Sequence, residues 1–333
     1  MNRTILIIFS SLVVLISTIS AQTSLKFNSK GNFKIVQFTD LHYNYGSSKS
    51  DVVIEMMNKV LDIEQPDFVI FTGDVVTNKP VQKGWEAVTA PLVNRKINWA
   101  ATIGNHDDEH GKKREDIITI LERIPYNLTQ SGEEEVNGTG NYVLPIANEK
   151  GQKASALLYC MDSNAYTSID GLGTYDWFDI SQVDWYRKES DLWSEKNNSS
   201  PLPALAFFHI PLPEYSKAWD IAEKQRIGVK SEAVCSPAFN SGMFAAMVHQ
   251  GDVMGTFVGH DHINDYLVPF CGIALCYGRF SGGGDTYGDL MNGGRVIVLK
   301  ADKRNFETWL RLRNGEVLYK TKFKHKQQDV FSK

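Results

Sequence analysis

Asp40-Leu41-His42, Gly73-Asp74, Gly104-Asn105-His106-Asp107, His209 and Gly259-His260-Asp261-His262 are five polar islands, each standing at the end of an apolar run. Each run reads as a buried strand, so the chain must adopt a fold in which several strand ends carry polar residues. A lone buried His or Asp is ordinarily a satisfied core residue. Five such islands in this order form an inventory: one carboxylate able to bridge, with imidazole, carboxylate and amide carbonyl donors around it. A two-metal hydrolytic site requires about this set. No thiolate is recruited, and these donors suit Mn, Fe, Zn or Mg. Asp40 and His42 lie two apart, as do His260 and His262, and on a strand that spacing points both side chains to one face.

Strand and helix signals alternate around the islands. Residues 33–39, 67–72, 97–103, 154–161, 204–208 and 253–258 read as strands, and 51–65, 114–123, 180–194 and 241–249 as helices. Residues 85–93 carry a helical pattern in which Pro91 is expected to break or kink the chain, and Pro211 and Pro213 to break it after His209. Residues 126–152 read as a polar surface excursion with one short strand at 142–146. The last third is strand-rich, at 266–268, 273–277, 295–300, 306–312 and 317–322, with Asn314-Gly315 as a hairpin turn. Helices alternating with strands first, then antiparallel strands, predict an α/β (α+β) class: two packed mixed sheets flanked by helices. No internal repeat or linker divides residues 21–333, which read as one domain with a frayed basic tail from about 323.

The 333 residues carry a net charge of −4, which argues against a nucleic-acid surface as the main partner. Residues 1–20 read as a secretory signal peptide: Arg3 in the n-region, an apolar stretch over 5–16 interrupted by Ser10 and Ser11, and Thr18 and Ser20 before a cut. A cut after Ala21, or an uncleaved anchor, is the alternative. The expected location is secreted or lumenal, with vacuolar and lysosomal destinations open and no stable membrane anchor. In that compartment Asn127, Asn137, Asn197 and Asn198 are N-glycosylation sequons. The cysteines are candidates for pairing, Cys271 with Cys276 or Cys235 with either, while Cys160 reads as a buried thiol.

Asp-x-His, Gly-Asp, Gly-Asn-His-Asp, a lone His after a strand and Gly-His-x-His together resemble the signature of the calcineurin-like metallophosphoesterases, over residues 33 to about 300. Gln37-Phe38-Thr39-Asp40-Leu41-His42 and Gly259-His260-Asp261-His262-Ile263-Asn264-Asp265 look most like the purple-acid-phosphatase-like branch of plants and fungi. The resemblance implies a four-layer sandwich and two divalent or mixed-valence metal ions (Fe, Mn or Zn) sharing a bridging hydroxide. Asp40, His42 and His262 would hold one ion, Asn105, His209 and His260 the other, and Asp74 both. It also implies that His106 contacts the scissile phosphate or protonates the leaving oxygen. A cationic imidazole there needs a carboxylate partner, for which Asp107 is the neighbour in sequence, with Asp108 or a distant acid as alternatives. Purple acid phosphatases carry a Tyr three residues after the bridging Asp; here that slot is Thr77, so a site without the purple colour is expected.

The first reading is a metal-dependent phosphoesterase acting on phosphate monoesters. A phosphodiesterase on nucleotides or lipid head groups, and a metal-binding scaffold without turnover, are the alternatives; His106 has no reason to be kept on the last. Tyr43, Asn44 and Tyr45 are candidates for lining the cleft; Arg279 and the Gly282-Gly283-Gly284-Asp285 loop read first as a turn between strands, with approach to a phosphate through cation and backbone N–H groups as the alternative. The tryptophans at 177, 185, 193 and 219 read as packing residues.

Overall fold

The computed structural model describes residues 25–284, 287, 288 and 290–325. The leader over 1–20, Asp285 and the tail from 326 lie outside the described residues. In chain order, β1 (Asn32–Phe38), α1 (Asp51–Glu64), β2 (Phe68–Thr72), α2 (Val81–Arg95) and β3 (Asn98–Thr102) form two successive strand-helix-strand units. α3 (Arg114–Leu121) leads to the pair β4 (Tyr142–Ala147) and β5 (Ala154–Cys160). α4 (Ile180–Lys196), β6 (Ala204–Phe207), α5 (Glu214–Ile221), α6 (Met243–Gln250) and β7 (Val253–Val258) follow. The chain ends in β8 (Leu267–Phe270), β9 (Ile273–Tyr277), β10 (Gly293–Lys300), β11 (Asn305–Leu312) and β12 (Val317–Lys324).

These strands make two six-stranded sheets, ordered β12-β11-β10-β1-β2-β3 and β4-β5-β6-β7-β9-β8. The first is parallel over β1-β2-β3, where helical crossovers join the strands, and antiparallel over the β10-β11-β12 return. The second is parallel over β5-β6-β7-β9 with antiparallel edges. Strand alternation sorts side chains between faces. Ile35, Phe68 and Ile70 meet Leu158, Phe207 and Phe257 in the core between the sheets. Val36, Val69 and Phe71 turn the other way onto Met56, Val60 and Trp85 of α1 and α2. Leu157, Tyr159 and Ala206 pack against Trp185, Tyr186 and Met243 of α4 and α6. Apolar faces on both sides of each sheet therefore produce helix, sheet, sheet, helix, the four layers expected. Among the described residues, no helix is long and apolar enough to cross a membrane.

Several local expectations are corrected. Pro91 does not break α2: the helix runs through it to Arg95, because Pro91 is itself buried with the helix's packed face. The chain does break at Pro211 and Pro213, between β6 and α5, but Pro213 also stands at the start of a helix not anticipated from the sequence, where its missing N–H costs no helical bond. β12 extends to Lys324, and His325, 8% exposed, has its Nδ1 2.8 Å from the Gly272 carbonyl oxygen. All four cysteines are free thiols. Cys276 faces the core between the sheets while Cys271 packs on the opposite face, so the β8–β9 hairpin separates the two sulfurs. Trp185 is buried, and Trp193 and Trp219 pack against the same core, as expected.

Candidate metal centre

Each strand delivers its island just beyond its last residue. Asp40 and His42 follow β1, Asp74 follows β2 and Asn105 follows β3, all in the first sheet; His209 follows β6, and His260 and His262 follow β7, in the second. The convergence of Asp40 with His42 is not the strand alternation anticipated, because β1 ends at Phe38. The backbone turns left-handed instead: φ is 53° at Asp40, 44° at His42, 52° at Asp74 and 77° at His260. Asp and His tolerate this region better than most residues, and such conformations concentrate at functional sites.

The glycines preceding the islands have a steric reason. A Cβ at Gly73 would fall within 3.0 Å of the His209 ring, one at Gly104 within that distance of Asp74, and one at Gly259 on Thr39 and Asp40. Two of these three close approaches, at Gly73 and Gly259, cross from one sheet to the other.

The result is two trios, Asp40-His42-His262 and Asp74-His209-His260, whose ligand atoms lie within 4.8 Å of one another in each trio. Asp74 belongs to one trio and reaches toward the other: its Oδ2 stands 3.1 Å from His209 Nε2 and 3.6 Å from His42 Nε2. Asn105 Oδ1 lies 3.1 Å from His209 Nε2 and so joins the second group. Neighbours hold the ligand atoms in place. His209 Nδ1 donates to the Thr72 carbonyl at 2.8 Å, which turns Nε2 into the site. Asp40 accepts the His260 amide at 3.0 Å and the Thr39 hydroxyl at 2.8 Å. Asp74 Oδ1 accepts the His106 amide at 2.9 Å.

Two observations show that the set fits metal ions. His260 Nε2 is buried without a hydrogen-bond partner, and the Nε2 atoms of His42 and His262 converge to 3.1 Å, each within 3.6 Å of a carboxylate oxygen of Asp74 or Asp40. A cation would give His260 Nε2 its partner and suits a point on which imidazole and carboxylate donors converge. Protonation agrees. Burial, with His262 nearby, lowers His42 to about 4, and burial with His209 nearby lowers His260 to about 3. Burial opposes a charge on Asp74, yet the adjacent His209 holds its carboxyl well below the usual range. Against its own burial, His209 is raised to about 9 by Asp74 and Asp40. Neutral imidazoles at His42 and His260 and an ionised carboxylate are the forms metals bind, and an ion at the centre would take the place of the proton on His209.

The role expected for Asp107 is corrected. Its carboxylate, fully buried, accepts the backbone amides of Asp74, Val75, Val76 and Gly104 at 2.8–3.1 Å. It fastens the second island to the third and does not face the His106 ring. Burial and the Asp74 charge push it up to about 6 against those amides. Glu109 is the carboxylate at His106, with Oε2 2.8 Å from Nδ1. Asp108 pairs with Arg114 instead.

The centre opens into a cleft of about 310 Å³ whose lining includes His42, His106, Tyr175, Cys235 and Tyr287. Tyr175 meets His260 edge-on, with ring centroids 4.5 Å apart, and Tyr287 stacks on His262 at 4.1 Å. Tyr166 stacks on Tyr175 at 6.0 Å. Glu109, Tyr166, Tyr175, Cys235 and Tyr287 carry no motif, and nothing local in the sequence marks them. Conversely, Tyr43 is buried in the helix-covered core and Tyr45 is exposed beside Lys83, so neither lines the cleft. Arg279 is buried in an ion pair with Asp265 and donates to the Met291 carbonyl at 2.8 Å. It braces the loop rather than reaching for a phosphate.

A two-sheet sandwich with two clusters of metal-binding residues at its strand ends is the architecture of the metallophosphoesterases. The calcineurin-like phosphoesterase profile matches residues 33–264, and the chain belongs to that family. It is 34% identical, over 86% of its length and 79% of the relative's, to a protein of Arabidopsis thaliana named probable inactive purple acid phosphatase 14. It is 33% identical to Phosphatase DCR2 of Saccharomyces cerevisiae, over 86% of this chain and 54% of that one. A dimetal phosphatase from Danio rerio shares the fold with a TM-score of 0.59 at 12% identity, covering 88% of this chain and 99% of the other.

Proposed function

We propose that this protein is a metal-dependent phosphoesterase of the secretory pathway that hydrolyses phosphate monoesters. The observation that carries the reading is the pair of trios around Asp74 with His106 standing beside them. Asp40, His42 and His262 would hold one ion, Asn105, His209 and His260 the second, and Asp74 would serve both; Fe, Mn or Zn suits the donors. Two ions held there would supply the positive charge and Lewis acidity that phosphate-ester hydrolysis needs. His106 lies at the mouth, 39% exposed, its ring centroid 5.6 Å from that of His42. It is placed to give a proton to the leaving alkoxide. Asp107 keeps the Asp74 and Asn105 loops in register, so the ligands need no rearrangement before the reaction.

Some relatives are named inactive. Against carrying that label over, every ligand position of the family pattern is filled here, and His106 is present. The leader over 1–20 supports entry to the secretory pathway, and Asn137 and Asn198, both exposed, are the sequons best placed to carry glycans. The expected result is metal-dependent hydrolysis of an aryl phosphate monoester faster than of the matching diester, by about tenfold or more. Diester preference would move the assignment to a phosphodiesterase. No turnover with two ions bound per chain would overturn the catalytic reading.

Thr77, where a tyrosinate ligand would stand, leads to a spectroscopic expectation. The iron-loaded protein shows no visible charge-transfer band. A purple sample would mean that another tyrosine, such as Tyr166 or Tyr287, binds the iron.

A further inference from the structure

Tyr166 enters the site from the loop between β5 and α4, far in sequence from the islands it touches. Its hydroxyl makes two short contacts, Asn105 Nδ2 at 2.9 Å and Glu109 Oε1 at 3.0 Å, and one longer approach to His106 Nδ1 at 3.4 Å. Proton counting fixes the directions. A carboxylate only accepts, so the 2.8 Å contact between His106 Nδ1 and Glu109 Oε2 places the proton on Nδ1. Nδ1 then has no lone pair for the tyrosine. The single phenolic proton therefore goes to Glu109, and toward Asn105 the Tyr166 oxygen can only accept. The amide of Asn105 must turn its NH2 to Tyr166 and its carbonyl inward, where Oδ1 lies 3.1 Å from His209 Nε2. Flipped, the same side chain would present N–H to the ions and could not bind them.

We propose that Tyr166 is a positioning residue that selects the metal-binding end of Asn105 and, through Glu109, sets the orientation of His106. One hydroxyl thus couples a ligand of one ion to the proton donor. The inference rests on the phosphoesterase reading, in which Asn105 serves one ion only. Tyr166 is 42% exposed and packs on Tyr175 through its ring, so removing the hydroxyl leaves the fold and the stack in place.

The test is Tyr166→Phe, read by metal titration and by kinetics. The expected result is that one of the two ions binds about tenfold more weakly while the other is unchanged, with kcat falling and KM nearly constant, as for residues that orient a metal ligand. In an Asn105→Asp background the hydroxyl makes no difference to metal affinity, because a carboxylate has two equivalent ends. Unchanged affinity for both ions in Tyr166→Phe would overturn the proposal. So would equal weakening of both with a lowered melting temperature, which marks a merely structural role. Either outcome leaves the phosphoesterase reading standing, since that reading is decided on the parent protein, by whether it turns over phosphate esters with metal bound.

Discussion

Asp74→Asn abolishes hydrolysis, with kcat/KM falling by at least ~10³-fold, about 4 kcal/mol of transition-state stabilisation. The carboxylate does three things an amide cannot do together. Its Oδ2 faces His209 and His42 from opposite trios, its Oδ1 holds the His106 amide, and its charge offsets the ions. Asn keeps one acceptor oxygen, so the backbone contact to His106 survives while the bridge does not. Metal analysis should find one ion or fewer per chain, where the parent holds two. The metal-free protein should still fold, with a modest loss of stability because the substitution removes the charge paired with His209 at 3.1 Å. Turnover within tenfold of the parent would sink the two-metal assignment.

Asp107→Ala acts on a different property. Truncation strips the acceptor from four backbone amides that lie beyond the reach of water, and a buried donor left unmade costs about 1–3 kcal/mol. Relaxation makes the losses less than additive, so about 3–5 kcal/mol of destabilisation is expected in denaturant unfolding of the metal-free protein. Activity falls as well, through displaced loops. Asp107→Asn retains one acceptor oxygen but sets an NH2 among amide donors, and loses an intermediate amount. The contrast separates the two residues: Asp74→Asn loses chemistry and keeps the fold, while Asp107→Ala loses both. If Asp107→Ala unfolds at the parent's denaturant midpoint, the carboxylate is not the fastener described.

The ligand set was legible because its residues are chemically conspicuous where they occur. Asp, Asn and His at the ends of apolar strands announce themselves, and the four layers follow from runs that must be buried on both faces. What surrounds the ligands was not legible. Asp107 sits inside a recognisable motif, but its duty depends on how closely the Asp74 loop approaches the Asn105 loop, a three-dimensional fact. Glu109 and Tyr166 lie 57 residues apart and meet only because the loop after β5 folds over the cleft. Proline misled in both directions: Pro91 reads as a break or kink in a helix that tertiary packing carries through it, and Pro213 hid a helix that it begins.

Neither trio is complete within one sheet. The first takes Asp40 and His42 from one side and His262 from the other; the second takes Asp74 from one side and His209 with His260 from the other. Bound ions are therefore clasps across the seam between two half-molecules. The binding energy of the ions and the cohesion of the sandwich become one thermodynamic quantity, because whatever binds only the closed form stabilises it. Opening the seam releases the ions, and withdrawing the ions loosens the seam. Amide hydrogen exchange on the facing sides of β2 and β7, remote from solvent and from any substrate, would then report the occupancy of a catalytic centre those strands only frame.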